Sequence, residues 1–408
     1  MTRLLLVLWM GLIGAERLDL DGGATAVTVT PFLLLTPVLL TALLTERRLE
    51  GRAVWGGRST LWFALLTSVL LFCIGASAYA SLDADTTLMR ATLAFIQIGG
   101  AALVALLVHD NTEALRALRT GATLGVALFI VTDVLAVLAF LGLLPRELNI
   151  GPSVLRLDSY GYAGLIPRMS GTTLDPNAGG LLLVIFALLE PRVRWVAGIL
   201  LVATLSRSAI ATGAVVAVIG ATSQGIGRMS APVRGGLVVT LLLAALLVVV
   251  GRSPQIAENL GRTLAPFAER FGMGENAGSA TEHGALVVRA VDEGSKSVQR
   301  VALGLGWGAS HRVLQDFWPG NRYGNFHSLY GTAFAETGVI SLVALLFLLL
   351  GPLFRKTRYQ PLMAGFIVFN LFYQATTVPA FWLLLALAWV TVESLPSQPG
   401  EIAPWTVA

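Results

Sequence analysis

Residues 328–351 read Ser328-Leu-Tyr-Gly-Thr-Ala-Phe-Ala-Glu336-Thr-Gly338-Val-Ile-Ser-Leu-Val-Ala-Leu-Leu-Phe-Leu-Leu-Leu-Gly351. A helix of about 20 apolar residues crosses the hydrocarbon of a bilayer, and this stretch is longer than that with one charge in it. Comparable runs lie at approximately 4–15, 26–45, 60–81, 88–108, 120–144, 174–190, 195–206, 208–222, 236–251, 361–376 and 380–395. The expected fold is therefore all-α, a polytopic integral membrane helix bundle of about 12 transmembrane helices. Composition agrees, since 55% of the 408 residues are hydrophobic and only 13% are charged, against roughly 25% charged residues in a soluble domain. A net charge of +4 with dispersed basic residues gives no case for nucleic-acid binding. The one cysteine, Cys73, excludes an intramolecular disulfide and any site built from several cysteines.

Arginine and lysine in the short loops set the expected orientation. With the N-terminus inside, fourteen fall on the cytoplasmic side, among them Arg3, Arg47, Arg48, Arg116, Arg192 and Arg355, and six fall outside: Arg17, Arg90, Arg146, Arg156, Arg168 and Arg207. The chain then divides into helices 1–9 within 1–251, a long helical extracytoplasmic loop at 252–327, helices 10–12 within 328–395 and a cytoplasmic tail at 396–408. A second outer segment runs from 145 to 173, and function is expected in these two segments.

Within the long loop, Ala285 to Ala302 has the spacing of an amphipathic helix, with Val287, Val291, Val298 and Val301 on one face and Arg289, Glu293, Lys296 and Arg300 on another. That cationic stripe reads either as a solvated face with an Arg–Glu pair or as a wall facing phosphate. Gly304-Leu-Gly-Trp-Gly-Ala-Ser lacks the preceding strand and following Lys of a nucleotide loop, so a tight turn is expected. His327 stands at the start of the tenth span, where a helix dipole disfavours the protonated ring; it reads as a neutral base or as an interfacial cap. Arg207 separates two short apolar runs, and it either snorkels or meets a phosphate through its bidentate fork. Asp175-Pro176 reads as a helix start. The pairs Asp19/Asp21 and Asp83/Asp85 read first as caps of the next helix and second as metal ligands.

In this order, Arg168-x-Ser-Gly with Asp175-Pro-Asn177, Leu205-Ser-Arg207, Gly304-Leu-Gly, His327-Ser328 and Glu336-Thr-Gly338 resemble the O-antigen ligase and polymerase superfamily of bacterial surface-polysaccharide enzymes. The resemblance covers roughly residues 165 to 350, and the N-terminal third agrees in hydropathy alone. It implies a glycosyltransferase in the bacterial cytoplasmic (inner) membrane that uses an undecaprenyl-pyrophosphate-linked glycan donor at the periplasmic face. Neither metal nor other cofactor is implied. The acceptor is lipid A core for a ligase, the favoured reading, and another lipid-linked glycan for a polymerase. Carried over to this chain, Arg207 and a loop-helix arginine bind pyrophosphate and His327 serves the acceptor hydroxyl. Arg289 is assigned by spacing, since the tryptophan often beside that arginine is absent here, and the family's His-Asn is His327-Ser328. Arg168, Asn177, Arg300 and Arg312 complete the candidate substrate contacts.

The residues support that chemistry directly. Two fixed guanidiniums can neutralise charge as the anomeric bond to pyrophosphate breaks, and an imidazole with a reference pKa of about 6.5 suits proton removal from a sugar hydroxyl. Attack opposite the leaving group inverts the anomeric carbon. A reading of another class is a transporter or flippase for a lipid-linked sugar, for which the short paired runs around Arg207 are the sequence feature.

Overall fold

The computed structural model describes residues 1–22, 28–51, 58–158, 161–162, 166–224, 278–316, 324–354 and 359–391. The expected span at 236–251, the first part of the long loop and the tail at 396–408 lie outside them. The described residues are mostly helical, at 74%. Among the described residues, four helical stretches are long and apolar enough to cross a membrane: Arg58–Ala80, Ala84–Val108, Thr112–Phe140 and Leu329–Phe354.

In chain order the helices are α1 (Thr2–Gly11), α2 (Pro31–Leu49), α3 (Arg58–Ala76), α4 (Ala84–Ala94), α5 (Gly100–Val108), α6 (Thr112–Phe140), α7 (Pro176–Leu189), α8 (Arg194–Ala203) and α9 (Arg207–Gln224). After the undescribed stretch come α10 (Gly278–Ser295), α11 (Val298–Leu303), α12 (Leu329–Leu350), α13 (Gln360–Phe372) and α14 (Pro379–Val390). A π turn at Phe95–Gly99 joins α4 to α5 in one rod. Every residue of α14, Pro-Ala-Phe-Trp-Leu-Leu-Leu-Ala-Leu-Ala-Trp-Val, is buried, as expected of a helix that is apolar all round. Its two indole N–H groups find Thr376 O and Leu348 O. Around it α1 packs on α6, α9 on α13, α12 on α3, and α7 on both α8 and α9. Glycines permit the closest approaches: a Cβ on Gly180 of α7 would lie 2.5 Å from Ala209 Cβ of α9.

The loop at 145–173, expected without strands, carries them. β1 (Leu18–Asp19), β2 (Glu147–Ile150) and β3 (Ser153–Arg156) form a three-stranded antiparallel sheet in the order β1-β3-β2, and β4 (Gly161–Tyr162) pairs with β5 (Ile166–Pro167). Ile150 faces Ser153 across a two-residue turn whose first residue, Gly151, has φ +62°, the left-handed value that tight hairpin turns require. Strands of two to four residues are too short to show an alternating pattern in sequence. This end of the bundle, called the sheet end below, also holds the N-termini of α4, α7, α9, α12 and α14. Arg3–Glu113 (3.1 Å) and Arg47 with Asp110 pair at the opposite end.

Two further expectations are corrected. Residues 285–302 are not one helix: α10 ends at Ser295 and Ser297 caps α11. Leu286 and Ala290 seat α10 on the bundle, while Val288, Val291 and Val298 are exposed. Finally, α12 is broken at Gly338, with φ +85° and ψ 177°.

Candidate functional site

Asp175 caps α7 by accepting the Asn177 N–H (2.6 Å) and Ala178 N–H (3.4 Å), with Pro176 as first helical residue. This places Asn177 in the first turn, where its Oδ1 accepts from Ser206 Oγ at 2.7 Å. Ser206 in turn accepts the Ala209 N–H (3.2 Å) at the start of α9. Arg168 donates from Nε to Thr204 O (3.2 Å), in the turn between α8 and α9. Arg168, Asn177 and Arg207 are thus brought together at the N-terminal ends of α7 and α9. Both helix dipoles point their positive ends here, an arrangement that favours an anion and disfavours a guanidinium left alone.

Two buried groups that sequence reading passed over build the floor of this cluster. Arg17 is 1% exposed and donates to Gly171 O (2.7 Å), Arg156 O (3.0 Å), Asp158 O (2.6 Å) and Ser170 Oγ (2.7 Å). From α6, Asp133 accepts the Ser170 and Gly171 N–H groups at 3.2 and 2.8 Å. Beside them Glu16 accepts the Leu174 N–H at 3.2 Å. Burial pushes the Glu16 carboxyl up to about 7; Asp175 adds to the rise, while the Leu174 bond and Arg17 oppose it.

His327 is not the first residue of its helix. Ser328 is the cap, its Oγ accepting from the Gly331 N–H, and His327 stands one residue earlier. Its φ of +52° is matched among non-glycine residues of the described chain by Leu205, also +52°. Each immediately precedes a serine that caps a helix at the sheet end, Ser206 or Ser328. Left-handed backbone in such residues costs about 1–3 kcal/mol, a strain that tends to occur where side-chain aim matters. Ser328 also donates to Asn370 O (3.3 Å), Tyr330 to Ile367 O (3.1 Å), and the Leu329 N–H to Tyr373 O (3.3 Å), so the end of α13 fixes the start of α12. On its other side α13 meets α9 through Thr212 Oγ1 and Gly365 O (3.4 Å). The His327 and Arg207 turns are therefore set on one frame, α9–α13–α12.

The remaining candidates stand on α10, α11 and the turn after them. Arg289 faces Glu293 (3.2 Å), Asp316 (3.5 Å) and Asp292 (3.9 Å), and its Nη2 reaches Val313 O. Lys296 pairs with Glu293 at 2.6 Å. Arg312 grips Asp83 through Nη2 (2.8 Å) and Nε (3.0 Å). Arg300 Nη1, like Arg289 Nε, is shielded from solvent with no hydrogen-bond partner, but Arg289 has carboxylates around it and Arg300 pairs with none among the described residues. Asp83 also caps α4 by accepting the Thr86 N–H (3.2 Å) and lies 3.2 Å from His311 Nε2. Burial would raise the Asp83 carboxyl, but Thr86 and Arg312 together hold it below the usual carboxylate range. Asp19, by contrast, caps nothing: it pairs with Arg156 at 2.9 Å.

Glu336 organises this turn from inside α12. Its Oε2 accepts the Gly308 N–H (2.7 Å), while Oε1 accepts the Ser310 N–H (3.2 Å) and the Ser310 hydroxyl. The break at Gly338 frees the carbonyls of Ala335 and Glu336, which take the N–H groups of Leu305 (2.8 Å) and Gly306 (3.1 Å). Irregular backbone inside a spanning helix is tolerated only where such partners exist. The Gly304-Leu-Gly and Glu336-Thr-Gly338 motifs are thus two halves of one joint. A signal for Glu336 existed in sequence, because an acid within an apolar span marks a function or a tight partner. Among the described residues no three His, Cys, Asp or Glu side chains converge as a metal site. A cleft of about 300 Å³ lined by Arg3, Glu46, Asp110 and Glu113 lies at the opposite end, away from every candidate.

Compared with known proteins, the chain matches no family model and no curated protein.

Proposed function

We propose that this chain is a multi-pass enzyme of about twelve spans that transfers a glycan from an undecaprenyl-pyrophosphate donor to an acceptor hydroxyl at the periplasmic face of the bacterial inner membrane. Lipid A core is the favoured acceptor, which makes the activity that of an O-antigen ligase. The observation that carries the reading is the unmatched guanidinium nitrogen of Arg300 on α11, whereas Arg289 on the preceding α10 and Lys296 between the two helices are taken up by carboxylates. A buried donor left without an acceptor costs about 1–3 kcal/mol, more when charged; a diphosphate oxygen removes that cost.

In this scheme Arg207, at the positive end of α9, and Arg300 hold the diphosphate, with Arg168 and Asn177 beside Arg207. Arg289 and Arg312 hold the loop in place through their carboxylates. As the anomeric carbon–oxygen bond breaks, its electron pair passes to the diphosphate, where the guanidiniums neutralise the growing charge. The acceptor hydroxyl oxygen bonds to the anomeric carbon from the opposite face, with inversion, and gives its proton to His327. The scheme needs no metal ion.

Donor binding by purified protein tests it. Arg207→Ala and Arg300→Ala should each weaken binding about tenfold or more, and the Lys variants less, because they keep charge and lose the fork. Arg289→Ala should bind donor within about threefold of wild type, as its partners are internal carboxylates. A normal Arg300→Ala together with a failing Arg289→Ala would return the clamp to Arg289, and no change in any of them ends the proposal. His327→Ala should bind donor yet lose about 10²–10⁴ in transfer rate. Glycolipids of a deletion strain then identify the acceptor: bare core with accumulated lipid-linked polymer means ligase.

A further inference from the structure

We infer that α10 and α11 form a re-entrant element, not a helix in the aqueous phase, and that their valine face lies in the hydrocarbon of the membrane leaflet on the sheet side. The contacts with α12 set the depth. A Cβ on Gly331 would lie 3.1 Å from Ala290 Cβ, one on Gly294 would lie 2.6 Å from the Phe334 ring, and one on Gly338 would lie 2.3 Å from Ala302 O. Successive residues of α10 and α11 therefore follow successive residues of α12, running inward with it from Gly331 to Gly338. Seven residues at helical rise are about 10 Å. The chain then turns at Gly304 and comes back through Leu305 and Gly306.

The surface of α12 shows what this pair replaces. Beyond Gly338 the helix presents Val339, Ile340, Val343 and Phe347 outward, at 38%, 55%, 45% and 60% exposure, the face of a spanning helix toward lipid. Before Gly338 it is buried from Leu329 through Thr337 apart from the half-buried Tyr330 and Phe334. There α10 and α11 cover it and present Val287 (38%), Val288 (69%), Val291 (53%) and Val298 (88%) in its place. In the inferred placement one largely apolar surface continues from one element to the other at the level of the break. The charges beside the valines are matched in pairs, Arg289 with Asp292 and Glu293, and Lys296 with Glu293, and long basic side chains can carry their heads to the interface.

Nitroxide labels on the full chain in lipid nanodiscs, in a Cys73→Ala background, test the inference. Val288→Cys, Val291→Cys and Val298→Cys are compared with Phe347→Cys as the lipid-facing standard and Ile150→Cys, on the exposed strand β2, as the aqueous one. Collision with oxygen should exceed that with a polar nickel chelate at all three valine sites and rise from 288 to 298, with Val298 approaching Phe347. Signals like that of Ile150 would overturn the inference by placing the face in water. Exclusion of both reagents would also overturn it, because another protein surface would then cover the face. Each exposed position gives its own reading, so one poorly folding variant does not remove the test.

Discussion

Glu336 shows how one side chain can order a distant segment. Its two oxygens gather the turn at Gly308–Ser310, and that turn carries His311 and Arg312 to Asp83. A hydrogen bond contributes about 0.5–1.5 kcal/mol, and about 1.5–3 kcal/mol where one partner is charged. Glu336→Gln keeps the volume but leaves one acceptor oxygen for two N–H groups. Amide exchange at residues 304–312 should accelerate tenfold or more, since about 1.4 kcal/mol is a factor of ten in the opening equilibrium. Unchanged protection by mass spectrometry would show that the glycine backbone holds the turn without the carboxylate. Glu16 offers a pH test. Its folded value, about 7, lies above the ordinary 4.5, so the ionised form is the one that the fold disfavours. Stability from this group is complete below its ordinary value and is lost as pH rises through the folded value. Glu16→Gln should flatten the fall in melting temperature between about pH 5 and about pH 8; a fall as steep as in wild type would assign it to another group.

At the scale of elements, the joint between the 304–308 turn and α12 depends on glycine for two separate reasons. Gly304 has φ +73°, and a Cβ there would lie 2.1 Å from the carbonyl carbon of Glu336. Gly142 has a similar φ, +75°, with nothing within 4 Å. Alanine at Gly142 should therefore carry backbone strain alone, about 1–2 kcal/mol. At Gly304 it must also separate the turn from α12, for a total of about 3 kcal/mol or more. Unfolding of the two variants in mild detergent measures the difference; equal losses would mean that the joint has room to give.

For the whole molecule, the alternation of helix ends puts residues 141–158 and the starts of α7, α9 and α12 at one end, and Arg3, Leu49 and Asp110 at the other. In the proposed orientation, which follows the arginine distribution, the sheet end faces outward. In intact cells an impermeant thiol reagent should label Ile150→Cys and leave Leu49→Cys unlabelled until the membrane is opened. Both positions are exposed, at 57% and 84%, so access decides the result. The reverse pattern would turn the bundle over and put the Arg207 and His327 turns in the cytoplasm, where the proposed donor does not present its glycan.

Sequence alone determined that this chain builds apolar helices of membrane length, because the cost of charge and of unpaired backbone in hydrocarbon leaves few alternatives. It also marked the start of α7, since the Asp175-Pro176 cap is a local hydrogen-bond pattern. The clustering of Arg168, Asn177 and Arg207 could be suspected from their order along the chain but not read as contacts. Arg17 finds Ser170 across 153 positions, and Glu336 finds Gly308 across 28. No local propensity encodes such pairs. Which face of α10 meets protein was not legible, because periodicity separates valines from charges without saying which side is covered. Left-handed backbone at Leu205 and His327 was equally hidden, since both residue types ordinarily adopt other conformations and only the surrounding packing holds them there. Those choices belong to tertiary structure for one reason: near-uniform apolar helix surfaces can pack in many ways, and a small number of buried polar groups with few possible partners select among them.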